Sequence, residues 1–382
     1  MKATQRTVVA AGLVLLVTGA GAIAGRTLYR TQRPRSAVEK ATMRAAVYDE
    51  FGPPEVVRID EVPKPTPKRD EMLVKVYAST VSSADHRGRS REVPSGLQVV
   101  AAVGLGLSRP RNHILGMDVA GVVDSVGEKV TAFKPGDEVI AMLGGRYGGH
   151  AEYVSVPERS AITAKPRNMS FEEAVTLVFG GITAHCFLKK VAIKPGDTVL
   201  VNGASGAVGT ATVQLAKQLG AHVTGVCSEA NRERVTTLGA DRVIDYTRVD
   251  FTTQALTYDV IVDCVGNAPF ERVETSINPG GALLLVISDL DGILRAPGQS
   301  RRSGKLVTAD VGKFKAEDLA YVAKLAESGQ YRAVIDRTYD LADIVEAHRF
   351  VDSGQKMGNV ILRVAGDESE IRPDQVQVPL EV

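Results

Sequence analysis

Three glycines spaced three residues apart dominate the middle of this 382-residue chain. Gly203, Gly206 and Gly209 follow a short apolar run and open a helical pattern, and a second apolar run then ends at Ser228. A strand, a glycine turn and a helix in this order let backbone N–H groups approach a pyrophosphate, and the helix N-terminus adds partial positive charge. Because glycine also serves ordinary turns, it is the flanking strands and helix that favour a dinucleotide site here.

The residues on either side of this turn follow two different patterns. Residues 43–165 hold short β-branched runs separated by Gly and Pro turns, which predicts an irregular antiparallel barrel. Ser170 and Glu173 then form a capping-box pattern that predicts a helix reaching about Lys190. From residue 198 onward, apolar strands alternate with helices, which is typical of a parallel sheet covered on both faces.

We therefore predict an α/β fold with two folded domains. Residues 43–165 form the barrel domain, which strands within about 335–366 complete, and residues 166–334 form the dinucleotide-binding domain. Residues 1–42 are predicted to be a separate N-terminal segment with a basic linker, and residues 367–382 a mobile polar tail.

The N-terminal segment contains an uncharged run over residues 7–25 whose length approaches the thickness of a membrane. Arginines follow it, and the first acidic residue is Glu39. This pattern favours a single-pass membrane anchor with the catalytic domain in the cytoplasm. A signal peptide cleaved near Ala24 and an organelle presequence are the alternatives.

Composition and net charge limit which binding partners and which cellular compartment are expected. The net charge of +1, without a basic stripe, gives no reason to expect a nucleic-acid partner. Three cysteines cannot form a disulfide framework, which is typical of a reducing compartment. The apolar stretch 97–107 is either a lid over a cleft, a membrane contact or a buried loop–helix. As a lid, it would imply a hydrophobic small-molecule substrate.

Several motifs, in the same order, are those of a known family. They are FGPPEV (51–56), ILGMDVAGVVDSVG (114–127), FKPGDEV (133–139), GGHAEY (148–153), the glycine turn and KMGNVIL (356–362). Over about residues 43–365 the chain resembles the zinc-independent medium-chain dehydrogenases/reductases, especially the quinone oxidoreductase and ζ-crystallin-like branch. The resemblance implies a GroES-like antiparallel β-barrel, a Rossmann domain with a doubly wound parallel sheet, and a nicotinamide cleft between them. Many members are dimers, so a homodimer is expected.

Cofactor choice depends on the residues about 20 positions beyond the glycines, where NAD enzymes carry a carboxylate. Ser228 can donate to the extra phosphate of NADPH and Arg232 can pair with it, whereas Glu229 keeps NADH open as the less favoured alternative. The resemblance places Thr183 near the nicotinamide and Tyr246 near the adenosine end. The full set of predicted cofactor-binding residues is Thr183, Gly203, Ser205, Gly206, Ala207, Val208, Gly209, Ser228, Asn231, Arg232, Tyr246, Val265 and Asn359.

Zinc is not expected, because the resemblance puts Ser82 where a ligating cysteine would fall and Met117 where a histidine would fall. Without a metal, hydrogen-bond donors must stabilise negative charge on the substrate oxygen. The candidates are Ser82, Asp85 and Tyr153, although Asp85 can equally fix a loop and Tyr153 can fill the barrel core.

The chemistry predicted from these residues is hydride transfer from NAD(P)H to a quinone or an α,β-unsaturated carbonyl. A zinc-free alcohol dehydrogenase or aldehyde reductase is one alternative. A non-enzymatic NADPH-binding protein similar to ζ-crystallin is the other.

Overall fold

The computed structural model describes residues 41–365 of the chain. The predicted membrane anchor, its two alternatives and the tail at 367–382 lie outside the described residues. Within the described part, one helical stretch, Phe171–Leu188, is long and apolar enough to cross a membrane, and 78% of it is buried inside the protein. Its apolar side chains therefore belong to the core.

The first part of the chain forms mainly antiparallel strands. They are β1 Thr42–Val47, β2 Arg58–Pro63, β3 Glu71–Val81, β4 Asp118–Val126, β5 Glu138–Met142, β6 Tyr153–Pro157 and β7 Ala161–Ala164. Strands β14 Ile335–Asp340 and β15 Asn359–Arg363 return late in the chain and complete a sheet of order β14-β15-β3-β4-β5-β7, with β6 also paired to β3. Ten of the eleven residues of β3 are buried, so this strand is the centre of the barrel core.

The second sheet is entirely parallel. Its strands are β8 Thr198–Asn202, β9 His222–Cys227, β10 Arg242–Asp245, β11 Tyr258–Asp263, β12 Ile277–Leu285 and β13 Leu306–Thr308. The strand order is β10-β9-β8-β11-β12-β13, so successive strands are added to one side of β8 up to β10 and to the other side from β11 onward. This is the order of a Rossmann sheet, and ligands bind at the switch point between β8 and β11. The predicted fold class, a GroES-like barrel with a Rossmann sheet, is confirmed.

Helices cover both sheets. They are α1 Ser83–Ser90, α2 Gln98–Leu105, α3 Phe171–Val175, α4 Thr183–Leu188, α5 Ala207–Gln218, α6 Arg232–Thr237, α7 Phe270–Val273, α8 Leu290–Ser303, α9 Ala316–Glu327 and α10 Ile344–Asp352. Short 3-10 turns occur at Pro54–Val56, Gly144–Arg146, Glu229–Asn231, Phe251–Thr253, Glu274–Ser276 and Leu341–Asp343.

The helix predicted after Ser170 is confirmed. The Ser170 hydroxyl accepts from the Glu173 amide at 3.1 Å, and the Glu173 carboxylate accepts from the Ser170 amide at 2.9 Å, which is a complete capping box. A π-helical turn, Leu177–Ile182, joins α3 to α4. Within it Gly180 packs on α5, because a Cβ there would lie 2.7 Å from the carbonyl oxygen of Ala207. The close approach brings α4 beside the glycine turn.

Helices α1, α8 and α10 were not predicted. Helix α8 contains Pro297, which disfavours a helix interior, and it buries only Ala296 and Gln299. Helix α10 does carry the stripe, with Ile344, Ala347, His348 and Val351 buried at helical spacing, but it is short and lies between two strands.

Candidate active site

The turn between β8 and α5 requires glycine at two of its three predicted positions. Gly203 adopts φ +79°, a left-handed conformation that strains other residues. A Cβ on Gly209 would lie 2.0 Å from the carbonyl oxygen of Gly203, so a side chain there would displace α5. Gly206 differs, because its φ is −76° and the nearest atom to a Cβ would be 3.7 Å away. The space in front of Gly206, at the N-terminus of α5, is open to a ligand.

One cavity of about 610 Å³ begins at this turn and extends to the barrel. On the barrel side its wall includes Ser83 and Ala84 of α1 and the apolar Leu97 and Val100. Nine of the predicted cofactor-binding residues line it: Thr183, Gly203, Ser205, Gly206, Ala207, Val208, Gly209, Tyr246 and Val265. The cavity therefore joins the two sheets at the switch point of the Rossmann fold.

The Thr183 hydroxyl is buried and makes no hydrogen bond to any described residue. Helical threonines elsewhere bond their own backbone: Thr176 donates to the Glu173 carbonyl at 2.7 Å and Thr212 to the Val208 carbonyl at 2.8 Å. An unpartnered buried hydroxyl costs about 1–3 kcal/mol. Because Thr183 lines the cavity, its hydroxyl is free for a ligand, and the residues present fit a bound dinucleotide.

The loop after β11 is held by Asp263, which is not among the predicted site residues. This buried carboxylate accepts from the backbone amides of Val265, Gly266 and Ala268 at 2.9 to 3.1 Å, and from the Asn202 side chain at 2.8 Å. The network fixes the loop that carries Val265 into the cavity wall.

Lys356 is a second residue of the cavity wall that is not among the predicted site residues. Its Nζ donates to the carbonyl of Gly358 at 3.0 Å, and the Gly358 amide donates to the carbonyl of Ser205 at 2.7 Å. The ammonium group is thereby fixed beside the glycine turn, where it lines the cavity. Burial lowers the pKa of Lys356 to about 8, against the opposing effect of Asp336. Asn359, in contrast, is not in the cavity wall; its side chain donates to the Val334 carbonyl at 3.0 Å.

The predicted phosphate-reading residues lie at the end of β9, outside the cavity wall. Arg232 donates to both carboxylate oxygens of Glu229, at 2.7 and 2.8 Å, and to the carbonyl of Val243 at 3.0 Å. The hydrogen bonds from Arg232 hold the pKa of Glu229 below its usual range. The Asn231 side chain donates to the Ser228 hydroxyl at 3.4 Å, and its backbone amide donates to the Ser228 carbonyl at 3.0 Å. The Glu229 carboxylate is therefore already paired with a cation.

Ser82 and Asp85 do not line the cavity. Ser82 is the N-cap of α1, and its amide and hydroxyl donate to the Asp85 carboxylate at 2.8 and 2.6 Å. The second carboxylate oxygen accepts from the Gly116 amide at 2.9 Å. Both side chains are buried and fully engaged, so they fix the start of α1, and neighbouring Ser83 and Ala84 form the wall instead.

Tyr153 is also away from the cavity. It lies on β6, which pairs with β3, and its ring packs under the Lys64 ammonium at 3.5 Å. The ring also contacts a small apolar cluster that includes Val47 and Ala151. This placement agrees with the barrel-core alternative and separates Tyr153 from the proton-donor role.

The residues where the family's zinc ligands would fall do not fit that ion. Met117 is buried in the barrel core. The Asp118 carboxylate accepts from the amide and hydroxyl of Thr80 at 2.8 and 2.7 Å, and burial raises its pKa to about 7. Across residues 41–365, no three His, Cys, Asp or Glu side chains converge as a metal-ligand set.

The segment 97–107 contributes a helix rather than a detached lid. One side of α2 packs Ala101 and Leu105 into the barrel core, while Leu97 and Val100 line the cavity. The remaining apolar side chains of this segment are largely exposed: Val99 75%, Val103 58% and Leu107 80%.

Comparison with known proteins agrees with this architecture. Residues 68–167 match the model of the alcohol dehydrogenase GroES-like domain, and residues 238–362 match a model described as zinc-binding dehydrogenase. The chain is 30% identical to the 2-methylene-furan-3-one reductase of Solanum lycopersicum, an alignment that covers 84% of this chain and 79% of that protein. It is also 30% identical to a chloroplastic quinone oxidoreductase of Triphysaria versicolor, over 84% of this chain and 98% of that one.

Among solved structures, the quinone oxidoreductase from Coxiella burnetii matches with a TM-score of 0.76 and 28% identity, covering 85% of this chain and all of that one. The chain therefore belongs to the medium-chain dehydrogenase/reductase superfamily and, within it, to the quinone oxidoreductase branch. It is an oxidoreductase of an NAD(P)H-dependent family, and the non-enzymatic alternative is set aside.

Proposed function

We propose that this protein is a zinc-independent reductase that uses NADPH to reduce quinones or α,β-unsaturated carbonyl compounds. The observation that carries the proposal is the single cavity in which the glycine turn of the Rossmann sheet and the apolar wall of the barrel meet. Bound NADPH supplies a hydride. The protein supplies the position of both reactants and the exclusion of water from the space between them.

Three features of the chain suit the cofactor. The open backbone at Gly206 and the N-terminus of α5 favour a pyrophosphate, and the Lys356 ammonium adds a positive charge beside it. The Thr183 hydroxyl is a buried, unpartnered hydrogen-bonding group in the cavity wall. Tyr246, 63% exposed at the cavity wall, offers an aromatic face to the adenosine end.

The ion pair between Glu229 and Arg232 supports NADPH over NADH. A carboxylate at the end of β9 selects NADH by accepting hydrogen bonds from the ribose, but here that carboxylate is neutralised by a guanidinium. A 2′-phosphate can replace Glu229 as the partner of Arg232 through the same bidentate geometry.

The substrate class follows from the cavity wall. The barrel contributes Leu97 and Val100 to the wall, and the dinucleotide-binding domain contributes Phe179 and Ile293, so an apolar acceptor loses its contact with water there. Quinones and enones spread the charge that they gain onto a distant oxygen, which hydrogen-bond donors can stabilise without a metal. The substrate named for the tomato relative is itself a ketone beside a methylene group.

An acceptor panel tests the proposal. We expect the purified full-length protein to consume NADPH with 1,2- or 1,4-quinones and with enones, at a rate that a zinc chelator does not change. Simple aldehydes and ketones form the second arm, because their turnover would identify the aldehyde-reductase alternative. If no acceptor accelerates NADPH loss, the reductase assignment is wrong; if a chelator abolishes the activity, zinc independence is wrong.

Membrane anchoring and homodimer formation are proposed on sequence grounds. Fractionation of cells that make the full-length chain and a variant without residues 1–42 tests the anchor: the full-length chain should sediment with membranes and the shorter one should not. A full-length protein in the soluble fraction contradicts the anchor and leaves the cleaved signal and the presequence. Light scattering of the purified protein gives the oligomeric state.

A further inference from the structure

Arg87 and Tyr147 line the cavity, and their side-chain polar groups form no hydrogen bond with the described part of the chain. Arg87, on α1, lines the cavity with a half-buried side chain, and its guanidinium makes neither a hydrogen bond nor an ion pair with any of residues 41–365. The Tyr147 hydroxyl, on a ring that is buried in the barrel core, likewise makes no hydrogen bond there. The two groups interact electrostatically, and Arg87 lowers the pKa of Tyr147 against the larger, raising effect of burial.

The backbone around Tyr147 is unfavourable for a bulky residue. Tyr147 has φ 55° and ψ −166°, a conformation that non-glycine residues seldom adopt and that is found most often at functional sites. Its hydroxyl reaches past Gly88 of α1, where a Cβ would lie 2.8 Å from the phenolic oxygen. A strained tyrosine and a glycine inside a helix both lower stability, yet together they hold a free phenol at the cavity.

The charges in the cavity wall are all of one sign. Among the described residues that line the 610 Å³ cavity, only Arg87 and Lys356 are charged, and both are cations. Lys356 lies beside the glycine turn, where the cofactor phosphates are expected. Arg87 lies on the barrel side with Leu97 and Val100, so an anion that pairs with it has to come from another molecule in the cavity.

An adjoining cavity of about 540 Å³ also reaches Arg87 and is lined by acidic residues. These acids are already engaged elsewhere. Glu92 pairs with His86 at 3.2 Å, Asp291 pairs with Arg295 at 2.9 Å, and Asp289 caps α8 through the Gly292 amide at 2.8 Å. None of them forms an ion pair with Arg87, whose guanidinium therefore remains available to a ligand.

We propose that Arg87 and Tyr147 form an anion subsite for the acceptor, and that the preferred substrate is an apolar enone or quinone that carries a carboxylate. The inference rests on the proposed reductase function and adds the charge of its substrate. The carboxylate accepts from the Arg87 guanidinium and the Tyr147 hydroxyl, while its apolar body packs on Leu97 and Val100. No covalent step involves either residue; they bind and orient the acceptor.

A matched pair of acceptors tests the subsite: an alkyl enone that ends in a carboxylate, and its methyl ester. Both share one reaction centre, so the ratio of their kcat/KM values isolates the recognition of charge. We expect the wild-type protein to prefer the acid by on the order of 10–100-fold, the usual effect of a charge-assisted hydrogen bond. Arg87→Gln should bring the ratio close to one, mainly through the KM of the acid, and Arg87→Lys should restore part of it. Tyr147→Phe should lower the ratio by a smaller factor.

The control is Arg302→Gln, which removes the same charge from an exposed position on α8 outside the cavity and should leave the ratio unchanged. An acid-to-ester ratio that survives Arg87→Gln overturns the subsite. An equal loss of kcat/KM for the acid and the ester also overturns the subsite, because Arg87 would then act on the ketone oxygen that both compounds share. Weaker NADPH binding by Arg87→Gln in the absence of acceptor would assign Arg87 to the cofactor. Failure of the wild-type protein to reduce either compound contradicts the reductase function itself and is thereby distinguishable from failure of the subsite.

Discussion

The glycine turn makes a paired prediction, because Gly206 and Gly209 meet their surroundings in different ways. A Cβ at Gly209 would lie 2.0 Å from the Gly203 carbonyl oxygen and 2.9 Å from the Ala204 Cα. Relief of the first contact requires α5 to move by about 1 Å, because side-chain carbons essentially never lie within 3.0 Å of such an atom. We expect Gly209→Ala to cost about 1–3 kcal/mol of unfolding free energy and to lower Tm by about 2–10 °C.

Gly206→Ala should leave stability unchanged. Its φ of −76° suits alanine, and the nearest atom to the new methyl group lies 3.7 Å away. The methyl group would instead occupy the open space at the N-terminus of α5, where the pyrophosphate is expected. Loss of one charge-assisted contact there costs roughly 1.5–3 kcal/mol, which weakens NADPH binding by about 10–150-fold.

Thermal unfolding and titration with NADPH measure both effects on the same samples. We expect Gly206→Ala to keep the wild-type Tm without ligand and to lose the increase in Tm that NADPH gives the wild-type protein. Wild-type affinity for NADPH in Gly206→Ala would show that the turn is only a structural feature and does not hold the pyrophosphate. An unchanged Tm in Gly209→Ala would refute the packing argument separately.

Three further substitutions test the rest of the cofactor site. Thr183→Val removes a buried, unpartnered hydroxyl, so stability should hold or rise slightly while kcat/KM falls on the order of 10-fold; a loss of stability would mean that the hydroxyl has a partner in the protein. Lys356, whose pKa is about 8, is charged below that pH and neutral above it, so the Kd for NADPH should rise between pH 7 and pH 9. Lys356→Gln should remove this pH dependence and bind NADPH as weakly as the wild-type protein does at high pH. If the Kd of the variant changes with pH as in the wild type, Lys356 is not the group responsible. Arg232→Ala should weaken the binding of NADPH much more than the binding of NADH. Equal losses of affinity would show that the 2′-phosphate is recognised elsewhere.

The fold was predictable because it depends on local patterns. The left-handed conformation of Gly203 and the capping box at Ser170 leave direct marks in the sequence, and continuous apolar strands mark the parallel sheet. Helix α8 was harder to predict, since a proline lies inside it and only two of its residues are buried. The spacing of Ser82 and Asp85 is also that of a capping pattern, so their structural role was present in the sequence.

The candidate site was harder to predict, because it depends on which polar groups lack partners. The resemblance identified Thr183, but only the packing of α4 shows that its hydroxyl is unpartnered within the described chain. Arg87 and Lys356 are two of 46 basic residues, and nothing local distinguishes them from solvated charges. Their role follows from a cavity wall built by segments far apart in the sequence.

The assignment of this cleft is tested most directly by following a label. NADPH that carries deuterium at its transferable position is incubated with the full-length protein and an enone, and the product is examined by mass spectrometry and NMR. We predict one deuterium on the carbon β to the carbonyl, with the α-carbon proton taken from solvent. A reduced product without deuterium at that carbon, or no reduced product at all, would contradict hydride transfer in this cavity.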